Sequence, residues 1–171
     1  MLKDNGFFMP FCALSEAKGM VIIMKISSAA FESNSLIPSK YTCEGQEINP
    51  PLEFRDVPDD TKSLALIVDD PDAPMKTWIH WTIWNIDAKT TQIPENSCPK
   101  DAVEGITSFG SNGYGGPCPP TGVHRYFFKL FALDKMLDLS PNSYVRDIES
   151  AFEGHIIQKA ELIGLYKKKY G

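Results

Sequence analysis

Proline and glycine recur so often along this chain that no long helix fits before Ser140. Thirteen prolines and twelve glycines punctuate 171 residues. The runs between them are short, apolar and rich in Ile, Val, Thr, Trp and Phe, which favours strands. Val21–Ser28 reads as a first strand, and Leu52–Val57 as another, closed by the Pro58-Asp59-Asp60 turn. Lys62–Asp69 (KSLALIVD) is nearly continuous in apolar residues and is expected to be a strand buried on both faces. Thr77–Ile86 (TWIHWTIWNI) and Arg125–Leu133 (RYFFKLFAL) follow, the second being the strongest strand signal in the chain. Ser33–Pro51 is turn-rich and is expected to form a surface excursion, and Ala88–Val103 a polar loop. Helical signal begins at Ser140-Pro141, an N-cap residue followed by Pro at the first helical position. From there Asn142–Phe152 sets Tyr144, Ile148, Ala151 and Phe152 on one face until Gly154 stops it. Ala160–Lys168 reads as a closing strand. With no crossover helices, the pattern predicts a mostly-β, antiparallel β-sandwich with one or two short C-terminal helices.

The remaining bulk properties narrow the class. One domain of this length buries a sizeable core, and the boundaries expected are an N-terminal extension over residues 1–23 and a single domain over 24–171. A formal net charge of -5 argues against a surface that coats nucleic acid. No apolar run reaches the roughly 20 residues of a membrane-spanning helix. Cys12, Cys43, Cys98 and Cys118 are scattered without a CxxC pair, so the expectation is free thiols in a reducing compartment and no cysteine metal site. FFMPFCAL with Lys3 ahead of it weakly resembles a signal peptide, but Asp4, Pro10 and Glu16 fit that pattern poorly. The location expected is cytoplasmic, with periplasmic or secreted as the alternative.

Chemistry concentrates in two places. Ser108–Phe131 packs Gly110, Gly113, Gly115 and Gly116 ahead of Pro117, Cys118, Pro119 and Pro120, then runs into His124-Arg125-Tyr126. Glycine lets backbone amides approach a ligand closely, and proline stiffens the loop. His124 and Tyr126, at i and i+2, share a strand face, and Asp70 continues the face of Leu64, Leu66 and Val68. Asp70, Asp72, His80, His124 and Tyr126 are therefore expected to converge at one end of a sheet. Such a cluster is compatible with an anion pocket lined by imidazoles, a phenol and loop amides. It is also compatible with a hydrogen-bonded histidine pair in a polar core layer. A metal site, or a hydrolase using Cys118 or Ser111 with His124, or the His80/His124 pair, ranks well behind. No G-x-S-x-G elbow, P-loop or HExxH motif is present.

DPDAP (Asp70–Pro74), Trp78-Ile79-His80 and GYGGPCPPTGVHRYFF (Gly113–Phe128) resemble the two signature segments of the phosphatidylethanolamine-binding protein family. The family is also called the Raf-kinase-inhibitor-like proteins. With YTCEG (Tyr41–Gly45), the form is similar to its bacterial and archaeal branch, over about Met24–Tyr170. The resemblance implies a β-sandwich with a small end pocket for phosphate-like groups. It implies that Asp70, His80, His124 and Tyr126 are the pocket's polar residues, and that Pro74, Trp78, Gly116 and Pro117 form its wall and amide-lined rim. With Asp72 and Cys118 these make up the expected ligand-binding set. It further implies a cis Ala73–Pro74 bond and a homodimer, and it places Tyr114 on the rim. Eukaryotic members carry a C-terminal helix near the pocket, and a chain ending at Gly171 is expected to lack it. The function expected is non-catalytic binding of a small anionic or phosphorylated ligand, without cofactor or metal, together with regulation of a protein partner. The alternative is an inhibitor of a kinase or protease acting through the pocket rim.

Overall fold

The computed structural model describes residues 22–169. Its strands are β1 (Lys25–Ser27), β2 (Ser35–Leu36), β3 (Leu52–Arg55), β4 (Ser63–Asp70), β5 (Trp78–Asp87), β6 (Gln92–Ile93), β7 (Val103–Glu104), β8 (His124–Leu133) and β9 (Ile156–Tyr166), with one α-helix, α1 (Val145–Phe152), before the last strand. They form a three-stranded sheet in the order β1-β3-β6 and a six-stranded sheet in the order β2-β9-β8-β4-β5-β7. All pairings are antiparallel except the two-residue contact of β2 with β9, which is parallel.

β4 explains why the architecture has three layers. All eight of its residues are buried, as a near-continuous apolar run requires when both faces of a strand are covered. Leu64, Leu66 and Val68 face the small sheet, packing with Ile26, Leu52, Phe54 and Ile93. Ala65 and Ile67 face the other way, onto Ile148 and Phe152 of α1 and the Trp84 ring. Hydrophobic burial of this kind contributes about 25 cal/mol per Å² of apolar surface, so the doubly covered strand anchors the domain.

β4 and β5 slip in register twice. Leu64 lies opposite Ile86 while Leu66 lies opposite Ile83, and Val68 lies opposite Trp81 while Asp69 lies opposite Ile79. Each slip inserts one extra residue in β5, which is the definition of a β-bulge. In the second, the extra residue is His80.

Several expectations are corrected. The thiols are not all free: Cys43 and Cys118 form a disulfide with a Cα–Cα separation of 5.5 Å, well inside the bridging range. The pair is 75 residues apart in sequence, and it meets because the turn at Tyr41–Thr42 lies directly against Gly116. A Cβ on Gly116 would sit 2.9 Å from the Thr42 backbone, so only glycine permits the approach. No peptide bond among the described residues is cis, so Ala73–Pro74 is trans. The trans form is the intrinsically favoured isomer, and the chain reverses next to it through Met75 at φ 76. The helix begins at Val145 rather than at Ser140-Pro141. Ser140 instead accepts the Ser143 amide in a preceding turn, and the Asp147 carboxylate accepts the Tyr144 N–H at the helix start. Ser33–Pro51 is not merely a surface excursion, because Ile37, Tyr41 and Thr42 within it are buried. Of the expected N-terminal extension, residues 1–21 lie outside the described residues, and Ile22 and Ile23 are exposed.

The layering predicts that Leu66→Ala, at a fully buried position, costs about 2–5 kcal/mol. Leu36→Ala, at a residue 65% exposed, should stay within about 0.5 kcal/mol. Urea unfolding of the two variants checks the contrast.

Candidate functional site

The end of β4, the start of β5 and the start of β8 meet at one edge of the large sheet. There Asp70, Ala73, Pro74, Trp78, His80, Phe109, Cys118, Pro120 and Tyr126 line a cavity of about 330 Å³. Most of this wall is apolar, with a few polar groups set into it, the usual make-up of a small-molecule site.

The polar groups are held rigidly. Asp70 is buried at 3% exposure, and both of its oxygens are occupied. Oδ1 accepts the Asp72 amide at 2.9 Å, and Oδ2 accepts from His124 Nδ1 at 2.7 Å. His124, also buried, is therefore the residue behind Asp70 rather than part of the cavity lining, and it buttresses the carboxylate. Asp72 does not reach the cavity either. It clamps Arg125, accepting from the Arg125 amide, Nε and Nη2 at 2.7–2.9 Å. These bonds, with the guanidinium charge, hold the Asp72 carboxyl down at about 2. The clamp ties the turn after β4 to the first residues of β8 and pairs the Arg125 charge.

His80 owes its place to the bulge. Trp81 and Ile83 point into the core, so simple alternation would turn His80 the other way. The extra residue lets His80 and Trp81 share a side. The Ser108–Gly115 loop then straps itself along the start of β5. The Ser108 amide donates to the Ile79 carbonyl at 3.0 Å, and the Gly115 amide donates to the His80 carbonyl at 2.8 Å. His80 Nδ1 lies 2.7 Å from the Gly115 carbonyl, which assigns the proton to Nδ1. In the neutral ring Nε2 is then a bare acceptor, and protonation converts it to a donor. Burial pushes the His80 pKa below its usual value, against the opposing pull of the Gly115 carbonyl and the Asp70 charge. Phe109 and Tyr126 pack edge-on to the ring at 5.4 and 5.2 Å.

Tyr126 is buried, and its hydroxyl sits beside Asp70 and the Cys118 amide without a well-formed bond to either. Burial first, and the Asp70 charge second, push its pKa up, so it is a phenol at any ordinary pH.

Of the expected set, Asp70, Pro74, Trp78, His80, Cys118 and Tyr126 line the cavity. Gly116 and Pro117 stand behind the wall against the 41–43 turn, and the Gly115 amide is already committed to His80. The glycines thus serve close packing of chain on chain. Tyr114 is half-buried against Trp81, and its hydroxyl donates to the Tyr41 carbonyl at 3.0 Å, which removes it from the rim. Cys118 is a disulfide partner, so it offers no thiolate while the bond is closed. Ser111 is not among the lining residues, and its carbonyl accepts from the Thr107 amide and hydroxyl. Among the described residues, no three His, Cys, Asp or Glu side chains are arranged to hold a metal ion. Phe109 was missed, and the only signal for it was an aromatic residue inside a glycine-rich loop.

A two-sheet sandwich with a small, partly polar end cavity is the architecture of a ligand-binding module. The family model described as phosphatidylethanolamine-binding protein matches residues 27–167, and the chain belongs to that family. It is 50% identical over 150 residues to a UPF0098 protein of Methanothermobacter thermautotrophicus, covering 85% of this chain and 99% of that one. A UPF0098 protein of Pyrococcus horikoshii is likewise 50% identical, over 155 residues, covering 85% and 77%. Among solved structures, a putative phosphatidylethanolamine-binding protein homolog of Chlamydia trachomatis superposes with a TM-score of 0.84 at 41% identity, covering 86% of this chain and 99% of that one. YbcL of E. coli, described as a new member of the mammalian family, gives 0.81 at 33% identity, covering 85% and 99%.

The lowered His80 value has a sign that can be checked. Between about 6.5 and the lower folded value, the unfolded chain takes up a proton that native His80 refuses, so stability falls as pH drops through that window. The Asp72 contribution has the opposite origin: it is present above the ordinary carboxylate value and is lost only as pH approaches about 2. His80→Asn keeps a donor for Gly115 and cannot titrate. Urea midpoints measured from pH 7.5 to 5 should fall less steeply for that variant than for the parent.

Proposed function

We propose that this chain is a non-catalytic binding protein whose end cavity takes a small ligand bearing a phosphate-like oxyanion. Binding is coupled to proton uptake at His80. The observation that carries this reading is the set of unused hydrogen-bonding groups on the wall. His80 has its Nδ1 committed to Gly115, which leaves Nε2 for a ligand, and the Tyr126 hydroxyl has no well-formed partner. Asp70 offers only acceptors and Arg125 is clamped by Asp72, so the positive charge that an oxyanion needs comes from protonating His80. The family name, and the name of the Chlamydia structure, point to the same phosphate-containing class of ligand. A cavity of about 330 Å³ suits a headgroup-sized molecule.

Nothing in the site supplies an activated nucleophile. Cys118 is bridged, and no Ser, Thr or Lys is among the residues lining the cavity. The disulfide also bears on location. Such bonds persist in oxidising compartments, which supports the periplasmic or secreted alternative over a reducing cytoplasm.

A second reading, that a protein partner docks at the rim, draws on Met75 and Phe109. They are 104% and 45% exposed beside the cavity, and exposed apolar residues at a cavity mouth favour a contact surface. Loss of partner capture with Met75→Ser but not Leu36→Ser would support it.

The binding reading is tested by calorimetry with inorganic phosphate and phosphoethanolamine at pH 5.5 and 7.5, in buffers of different ionisation enthalpy. The expected result is tighter binding at the lower pH with proton uptake. His80→Asn should abolish the pH dependence, and Tyr126→Phe should weaken binding about five- to tenfold, the value of one hydrogen bond. Absence of binding by either compound at both pH values would overturn the proposal.

A further inference from the structure

The cavity wall contains a covalent bond that neither the binding chemistry nor the core requires. Cys118 is a lining residue and is exposed, whereas its partner Cys43 is half-buried beside the buried Tyr41 and Thr42. The loop that Cys118 belongs to, residues 117–123, is held by few hydrogen bonds; Pro117 and Pro119 are buried, and the other residues are exposed. Pro117, Pro119 and Pro120 have no N–H to donate, and Gly122 sits at φ 72. Among the described residues, the one backbone hydrogen bond tying residues 117–122 to another segment runs from the Cys43 amide to the Pro117 carbonyl at 3.2 Å. Two of the nine lining residues, Cys118 and Pro120, belong to this loop.

We propose that Cys43–Cys118 is a thiol–disulfide exchange site for a low-molecular-weight thiol, and that exchange there releases one wall of the cavity. The second half rests on the binding role proposed above. In the step, a thiolate attacks the exposed Cys118 sulfur and forms a mixed disulfide on Cys118 as the Cys43–Cys118 bond breaks. The electron pair leaves on Cys43, which takes a proton from solvent; the incoming sulfur is oxidised and the Cys43 sulfur reduced. A second thiol attacking the mixed disulfide completes reduction and departs as the thiol dimer. The regiochemistry follows from exposure, because Cys118 is exposed and lines the cavity whereas Cys43 is half-buried. Cys98 is exposed, and partial burial of its thiol with the neighbouring Glu104 pushes it up to about 11, which leaves little thiolate at neutral pH.

With the bond open, the 117–123 loop keeps that backbone bond and the buried Pro117 and Pro119, while the exposed lining residues Cys118 and Pro120 are no longer held in the wall. Affinity then falls by the fraction of time that the wall is in place. A wall present about one-fifth of the time weakens apparent binding about fivefold.

The test uses the full chain carrying Cys12→Ser and Cys98→Ser, equilibrated in graded mixtures of reduced and oxidised glutathione, quenched in acid and mapped by mass spectrometry. Expected are a glutathione adduct on Cys118 with Cys43 free, unchanged far-ultraviolet circular dichroism, and faster amide hydrogen exchange confined to residues 118–126. An adduct on Cys43 alone, resistance to mixtures that reduce the urea-unfolded chain, or global unfolding on reduction would each overturn the exchange site. Phosphate calorimetry on the oxidised and reduced forms separates the two readings. Binding to both forms with equal affinity overturns the gating half alone. No binding to the oxidised form overturns the ligand reading, while the mapping and hydrogen exchange still decide the exchange site.

Discussion

The hydrogen bonds around Asp70 set the terms for everything at the cavity end. β4 is a strand buried on both faces, and its inner face ends in a carboxylate. A buried charge is tolerable only when it is paired and hydrogen-bonded. Here one oxygen takes the Asp72 amide, which shapes the turn after β4, and the other takes His124, which locks the first residue of β8. Asp72 in turn holds Arg125. One carboxylate thus fixes the spacing of two strands and a turn, and the cavity is the space they leave between them and the loop following Gly115.

Much of this was legible because strands report their faces by alternation. The LALIV run predicts a doubly covered β4, and His124 with Tyr126 two residues on predicts a shared face. The first follows from an apolar run without alternation, the second from a period of two. The bulge at His80 is different, since a one-residue register slip depends on how β5 pairs with β4 and leaves no mark in local pattern. The disulfide was hidden for a related reason. Cys43 and Cys118 are distant in sequence and meet only because Gly116 lets two loops touch, a tertiary event without a periodic signature. Gly116 and Gly115 were correctly marked as places of close backbone approach. The partner was misjudged, for the chain approaches itself there. Phe109 is a single aromatic whose placement depends on the strap along β5. The helix start moved because Ser140 caps a turn of its own, a local competition between side-chain and backbone hydrogen bonding.

The charge pattern of the site is unusual for an anion receptor. Arg125 is paired with Asp72, both Asp70 oxygens already accept a hydrogen bond, and the two wall groups with hydrogen-bonding capacity to spare are a phenol and a desolvated imidazole. In water such groups contribute little, but in a partly buried cavity their hydrogen bonds are strengthened. Burial lowers the His80 pKa; on the binding role proposed above a bound oxyanion would raise it again, so ligand and proton would favour each other by reciprocal linkage. Such a receptor would favour acidic conditions or ligands that bring their own proton. On the exchange proposed above, the disulfide would add a second control, acting on the shape of the cavity and not on its charge.

The central claim is that His80 carries its neutral proton on Nδ1 and acquires a second on Nε2 when an oxyanion enters. Nitrogen-15 NMR of the imidazole, titrated with pH in the absence and presence of phosphate, tests it directly. The account predicts the Nδ1–H tautomer in the free protein with a midpoint below about 6.5, moving upward when phosphate is added. An Nε2–H tautomer in the free protein, or a midpoint that phosphate leaves unmoved, would contradict it.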